Sequence, residues 1–130
     1  MSEKRVVRTE AAPAPFQGAP YSQAIVAAGL VFVSGQLGLA PGETTLEQKD
    51  IEAQTRQVLE NVKAVLERAG SGLDRLLKTT VFLTDLADFA LMNAVYSEYV
   101  GEQPPARATV QVAALPSGAL VEIEAVALVA

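Results

Sequence analysis

The chain contains no cysteine and no histidine among its 130 residues. Each absence removes a class of chemistry. Without cysteine there is no disulfide and no thiolate nucleophile, and without histidine there is no Ser/His or Cys/His couple. Lacking both, the chain has no zinc site of the usual ligand set. Acid–base work is left to carboxylates, lysine or tyrosine. Bases are few, 10 against 15 acids for a net charge of −5. Only Lys4, Arg5 and Arg8 lie close together, which argues against nucleic acid as a partner. Long apolar runs are also missing. The most apolar stretch, Ala24 to Val33, is about half the length of a bilayer-spanning helix and carries Gly29, so it reads as a buried hairpin and no membrane association is expected. Met1 to Arg5 mixes charges and leads into no apolar segment, unlike a signal peptide. A cytoplasmic location is the expectation.

What is present is a half-hydrophobic chain (50%) long enough for one domain over residues 1–130 with its own core. Val6-Val7-Arg8 reads as a short first strand, and Pro13, Pro15 and Pro20 mark the loop after it. Ala24 to Ala27 and Leu30 to Ser34 read as strands around an Ala28-Gly29 turn. Apolar residues at Ile51, Val58, Leu59, Val62, Val65, Leu66 and Ala69 recur at helical spacing within Leu46 to Ala69. Thr45-Leu46-Glu47-Gln48 has the form of a capping box, and Gly70 the form of a stop. Leu73 to Thr84 reads as a strand with Leu77, Thr79, Val81 and Leu83 on one face. Asp85 is placed to cap a second helix carrying Phe89, Met92, Tyr96 and Tyr99, with Gly101 at its end. The order of strands, helix, strand, helix and two strands predicts an α+β fold in which two helices cover one face of a mixed sheet.

The last two strands carry the clearest chemistry. Pro105-Ala106-Arg107-Ala108-Thr109-Val110 puts Arg107, Thr109 and Gln111 on one face, with Ala108, Val110 and Val112 expected in the core. Val121-Glu122-Ile123-Glu124-Ala125 puts Glu122 and Glu124 on one face. A guanidinium matches a carboxylate as a planar fork, and a nearby carboxylate can take a proton from water, so the pair suggests a pocket for a small organic acid. A salt bridge between neighbouring strands is an equal alternative. The sheet face without helices is expected to hold Phe32, Phe82, Val126 and Leu128 among Ser34, Lys78, Thr80, Arg107 and Glu122. A mixed apolar face of this kind marks a subunit interface.

Seven ordered segments show a resemblance to a known family. They are Pro20-Tyr21-Ser22-Gln23-Ala24, Val33-Ser34-Gly35-Gln36, Lys78-Thr79-Thr80-Val81-Phe82-Leu83, Asp85-Leu86-Ala87-Asp88-Phe89, Asn93-Ala94-Val95-Tyr96, Pro105-Ala106-Arg107 and Glu122-Ile123-Glu124-Ala125. Through them the chain resembles the RidA/YjgF family of enamine/imine deaminases along almost its whole length. The resemblance implies a chorismate-mutase-like fold, a homotrimer with sites at its subunit interfaces, and no cofactor and no metal. It implies hydrolysis of 2-aminoacrylate-like enamines or imines to a 2-keto acid and ammonia, the reaction of a 2-iminobutanoate/2-iminopropanoate deaminase. Arg107 would grip the substrate carboxylate and Glu122 would handle water and protons. Tyr21, Ser34, Gly35, Asn93 and Thr109 would line the substrate site. Many relatives have cysteine where this chain has Thr109, a change that removes a thiol and keeps a small side chain. Apart from the resemblance, Tyr21 reads as a packed turn aromatic, Ser34 as a strand-end hydroxyl and Asn93 as a solvent-facing helix residue. The alternative function is a non-catalytic trimer, regulatory or chaperone-like, that binds small acids in the same pocket.

Overall fold

Period-2 patterning generates six strands, which the computed structural model, describing residues 3–129, joins into one mixed sheet. They are β1 (Arg5–Val7), β2 (Ala24–Ala27), β3 (Leu30–Gln36), β4 (Leu76–Leu83), β5 (Ala106–Gln111) and β6 (Val121–Leu128). The spatial order is β1-β2-β3-β6-β4-β5. All neighbours are antiparallel except β4 and β5, which run parallel because α2 intervenes as a crossover. Two helices, α1 (Ile51–Arg68) and α2 (Phe89–Val100), lie against one face of the sheet. The core between them holds Val31 and Val33 of β3, Val81 and Leu83 of β4, and Val121, Ile123, Ala125 and Ala127 of β6. Against these pack Val58, Leu59, Val62, Val65 and Leu66 of α1 and Met92 and Val95 of α2. Each fully buried aliphatic side chain contributes roughly 1.5–3 kcal/mol, and the strict alternation concentrates that gain on one face. Among the described residues no helix is long and apolar enough to cross a membrane.

The helix ends follow local chemistry. Helix α1 starts at Ile51, five residues later than its apolar pattern begins, because Asp50 is the true cap and accepts from the Ala53 amide at 2.8 Å. The expected capping box does not form. Gln48 takes a positive φ of 65°, and the Thr45 hydroxyl accepts from the Glu47 amide instead, closing only a local turn. At the other end Gly70, with φ 87°, donates to Glu67 O and Ser71 donates to Leu66 O, which is the Schellman arrangement the glycine predicts. Asp85 accepts from the Ala87 amide at 2.9 Å and caps a short 3-10 turn, Leu86–Asp88, that feeds directly into α2.

Two strand expectations are corrected. Leu73–Arg75 forms a 3-10 turn, and β4 begins at Leu76. The pairing of β4 with β6 then skips one residue between Leu76 and Lys78, so Leu77 is exposed (41%) and Leu76 points to the core in its place. In β5, Ala108 and Val110 are exposed and not core residues. Paired with the buried Thr79 and Val81 of β4, Arg107 and Thr109 hold the helix-side positions of this edge strand.

Buried amides fix the loops beside the end of β3. Asn61 of α1 donates to Leu37 O and Leu39 O, and Gln54 accepts from the Leu120 amide at 2.8 Å. Gln23 accepts from the Thr9 amide and donates to the carbonyls of Thr9, Ala12 and Pro13, binding the N-terminal loop to β2. Satisfied in this way, these side chains tolerate burial that would otherwise cost stability.

Candidate functional site

The open sheet face carries one set of polar residues. Val33 pairs with Ala125 and Gln36 with Ile123, so β3 has one residue more than β6 over this interval, and Ser34-Gly35 form the irregularity. The Ser34 hydroxyl donates to Ser22 O at 2.6 Å, and its amide donates to Gln23 O. Gly35 leaves the space that the Glu122 side chain occupies, and any side chain there would displace that carboxylate. A Cβ there would collide with the Glu122 carboxylate, whose Cδ would lie 2.8 Å away. Tyr21 follows the proline-rich loop, accepts from the Phe16 amide at 2.6 Å and keeps its ring partly exposed. It shares the wall of one cavity with Gly35. Partial burial, and next the charge of Glu124, push the Glu122 pKa above the ordinary carboxylate value. A carboxyl tuned this way both accepts and returns protons closer to neutrality than a solvated glutamate does.

The helix side of the sheet carries a second set. Arg107 pairs with Thr79, and its guanidinium lies 4.8 Å from the centroid of the Tyr96 ring and 5.5 Å from that of Phe89. These rings stabilise the cation without capping its donors by a carboxylate. Tyr96 is itself fixed by a 2.6 Å hydrogen bond between its hydroxyl and that of buried Thr79. Asn93 lies between the two aromatic residues along α2. The Asn93 Oδ1 and the Thr109 Oγ1 are buried and have no hydrogen-bond partner among the described residues. A guanidinium with no counter-ion among the described residues, on the same side of the sheet as two unsatisfied buried polar atoms, is a surface prepared for a polar ligand.

These two sets do not meet within one chain. Glu122 pairs with Phe82 and Phe82 with Val110, placing all three on the open face. Arg107, three residues from Val110, therefore faces the helices. The expectation of Arg107 on the open face beside Glu122 is corrected, and so is the alternative salt bridge between them. The ion pairs among the described residues are Lys49–Glu43 and Arg56–Glu98. The first set brings together Tyr21, Ser34, Gly35 and Glu122; the second brings together Arg107, Thr109 and Asn93. The sequence reading missed the aromatic walls of Arg107, although Phe89, Asn93 and Tyr96 follow the i, i+4, i+7 spacing of one helix face. Among the described residues no cluster of carboxylates is arranged to hold a metal ion.

The family model described as Endoribonuclease L-PSP matches residues 9–129, and the chain belongs to that family, the RidA/YjgF proteins. A RutC family protein of Pyrococcus horikoshii is 52% identical over 95% of this chain and 97% of its own length. The human 2-iminobutanoate/2-iminopropanoate deaminase is 40% identical over 96% of this chain and 90% of its own. The crystal structure of RidA from the Antarctic bacterium Psychrobacter sp. superposes with a TM-score of 0.90 at 45% identity, covering 96% of this chain and 99% of that one.

Proposed function

We propose that this protein is a hydrolytic deaminase of reactive enamines and imines, acting as a 2-iminobutanoate/2-iminopropanoate deaminase in sites that two neighbouring protomers of a homotrimer complete. One observation carries the reading. Arg107 and Glu122 face opposite sides of the same sheet, and the unpartnered buried Asn93 Oδ1 and Thr109 Oγ1 lie on the Arg107 side, so only assembly brings both to one substrate. The open face supplies the means of assembly, since Phe32 (46%), Leu128 (43%) and Val110 (42%) remain exposed there. The membership of a deaminase such as the human relative in the same family favours turnover over passive binding of small acids.

In this reading 2-aminoacrylate takes a proton at its methylene carbon and becomes the 2-imino acid. Arg107 of one protomer holds the carboxylate through paired charge-assisted hydrogen bonds, each worth roughly 1.5–3 kcal/mol net. Asn93 and Thr109 supply additional polar contacts. Glu122 of the neighbour takes a proton from water as its oxygen adds to the imine carbon. The same carboxyl returns that proton to the nitrogen of the tetrahedral adduct. The carbon–nitrogen bond then breaks as Glu122, again a carboxylate, takes the hydroxyl proton of the adduct, leaving ammonia and the 2-keto acid. Proton transfer by a placed carboxylate is typically worth about 10²–10⁴-fold. Because a protonated imine is already electrophilic, the reaction requires no further electron sink.

The decisive assay couples the protein to a pyridoxal-phosphate dehydratase that makes imines from serine or threonine. Keto-acid or ammonia release is expected to accelerate when this chain is added; an unchanged rate would refute the deaminase reading. Light scattering on the purified protein is expected to give three times the mass of one chain. A stable monomer at micromolar concentration would leave Arg107 and Glu122 on separate surfaces and overturn the shared site.

A further inference from the structure

A trigonal imine carbon has three substituents, and the proposed site accounts for two of them and for the attacking water. Arg107 takes the carboxylate, the nitrogen leaves, and Glu122 works perpendicular to the plane. The substrate side chain must leave in the third in-plane direction. Two concavities border Tyr21. One, of about 670 Å³, also involves Arg8, Glu10 and Arg68, a charged lining unsuited to hydrocarbon. The other, of about 410 Å³, opens past Gly35, the residue over which Glu122 leans. Its walls include Phe16, Leu37 and Leu39 of the small apolar cluster at the end of β3.

Four of the polar side chains that line this second cavity, Gln23, Gln36, Glu43 and Tyr21, are engaged elsewhere, and Gln17, Thr44 and Ser117 line it as well. Gln23 spends its amide on the N-terminal loop, Glu43 is held by Lys49 and the Ala40 amide, and the Tyr21 hydroxyl accepts from Phe16. The cavity therefore sets an apolar wall of Phe16, Leu37 and Leu39 near the proposed reacting carbon, with far more room than a methyl group fills. We infer that this cavity receives the substrate side chain and that the protein prefers 2-imino acids with branched aliphatic side chains of about isobutyl size to the three-carbon compound. The inference rests on the deaminase reading and adds to it a substrate class and a subsite.

Binding of the product-like 2-keto acids tests it by calorimetry. On the full-length protein, 4-methyl-2-oxopentanoate is expected to bind about tenfold or more tightly than pyruvate, since three additional carbons leave water. Thr44→Trp, at an exposed position on the cavity rim, is expected to bring the two affinities close together and leave the pyruvate affinity within about twofold, because only the side-chain subsite is filled. Ala14→Phe, at another exposed position of the cavity lining, is expected to act in the same direction and guards against a folding defect in the first variant. Equal wild-type affinities, or variants that weaken both acids alike, would overturn the inference while imine hydrolysis stood. If neither acid bound and the coupled assay showed no acceleration, the deaminase reading would fail, and this subsite with it.

Discussion

Glu122→Gln is expected to lower turnover by about two orders of magnitude or more while the assembly and 2-keto-acid affinity survive. The amide keeps the shape and hydrogen-bonding reach of the carboxylate and cannot accept a proton at neutral pH. The pH profile adds a signed test. Burial, and then Glu124, raise the Glu122 pKa, so the acid limb of kcat/KM is expected above the ordinary carboxylate range. Glu124→Gln removes the smaller of the two causes and is expected to shift that limb toward lower pH with a mild effect on the maximum. The stability sign follows from the same shift. A carboxyl raised in the folded chain binds its proton more tightly there, so its favourable contribution is complete below the unfolded pKa and is lost as pH rises through the folded one. Glu122→Gln is therefore expected to raise Tm at neutral pH. Wild-type turnover in this variant would place water activation elsewhere.

Arg107→Lys is expected to reduce kcat/KM by about a hundredfold and to weaken pyruvate binding with it, because an ammonium can neither form the bidentate fork nor lie flat against the Tyr96 ring. The split between sheet faces gives this variant a sharper use. When Arg107→Lys and Glu122→Gln chains are unfolded together in equal amounts and refolded, random assembly gives each site an intact Arg107 and an intact Glu122 with a probability of about one quarter. Activity is expected to recover toward that fraction of wild type, although each variant alone is nearly inactive. No recovery from a mixture shown to contain hybrid oligomers would mean that both residues act within one chain, contrary to the sheet register.

The aromatic packing around Arg107 explains why an arginine can remain there with no counter-ion among the described residues. The guanidinium lies over the rings of both Phe89 and Tyr96, whose faces attract a cation without neutralising it. The hydroxyl contact of Tyr96 with Thr79, the β4 residue paired with Arg107, holds ring and strand together. In the sequence these aromatic residues look like ordinary apolar positions on α2, since helical spacing records which residues share a face and not what that face meets.

Alternation and helical period determined most of the architecture without any structure. Ile51 to Leu66 could bury one stripe only as a helix, Val121 to Ala127 could bury one side only as a strand, and Gly70 and Gly101 stood where right-handed helices needed a left-handed residue to stop. Tyr21, Ser34, Gly35, Asn93, Arg107 and Glu122 stand out in the sequence as candidate site residues because they occur within short ordered segments that resemble one family, and Thr109 because it follows Arg107 by two residues. Which sheet face each occupies was not legible there. Period-2 patterning sorts the residues of a single strand into two sides, whereas the relation between strands depends on register, and one residue of slip inverts it. In the sequence, Ala108 and Val110 were as apolar as any core position, so Arg107 was assigned to the wrong side. Only the pairing of Val110 with Phe82, and of Phe82 with Glu122, decided that Arg107 faces the helices and Glu122 faces away from them.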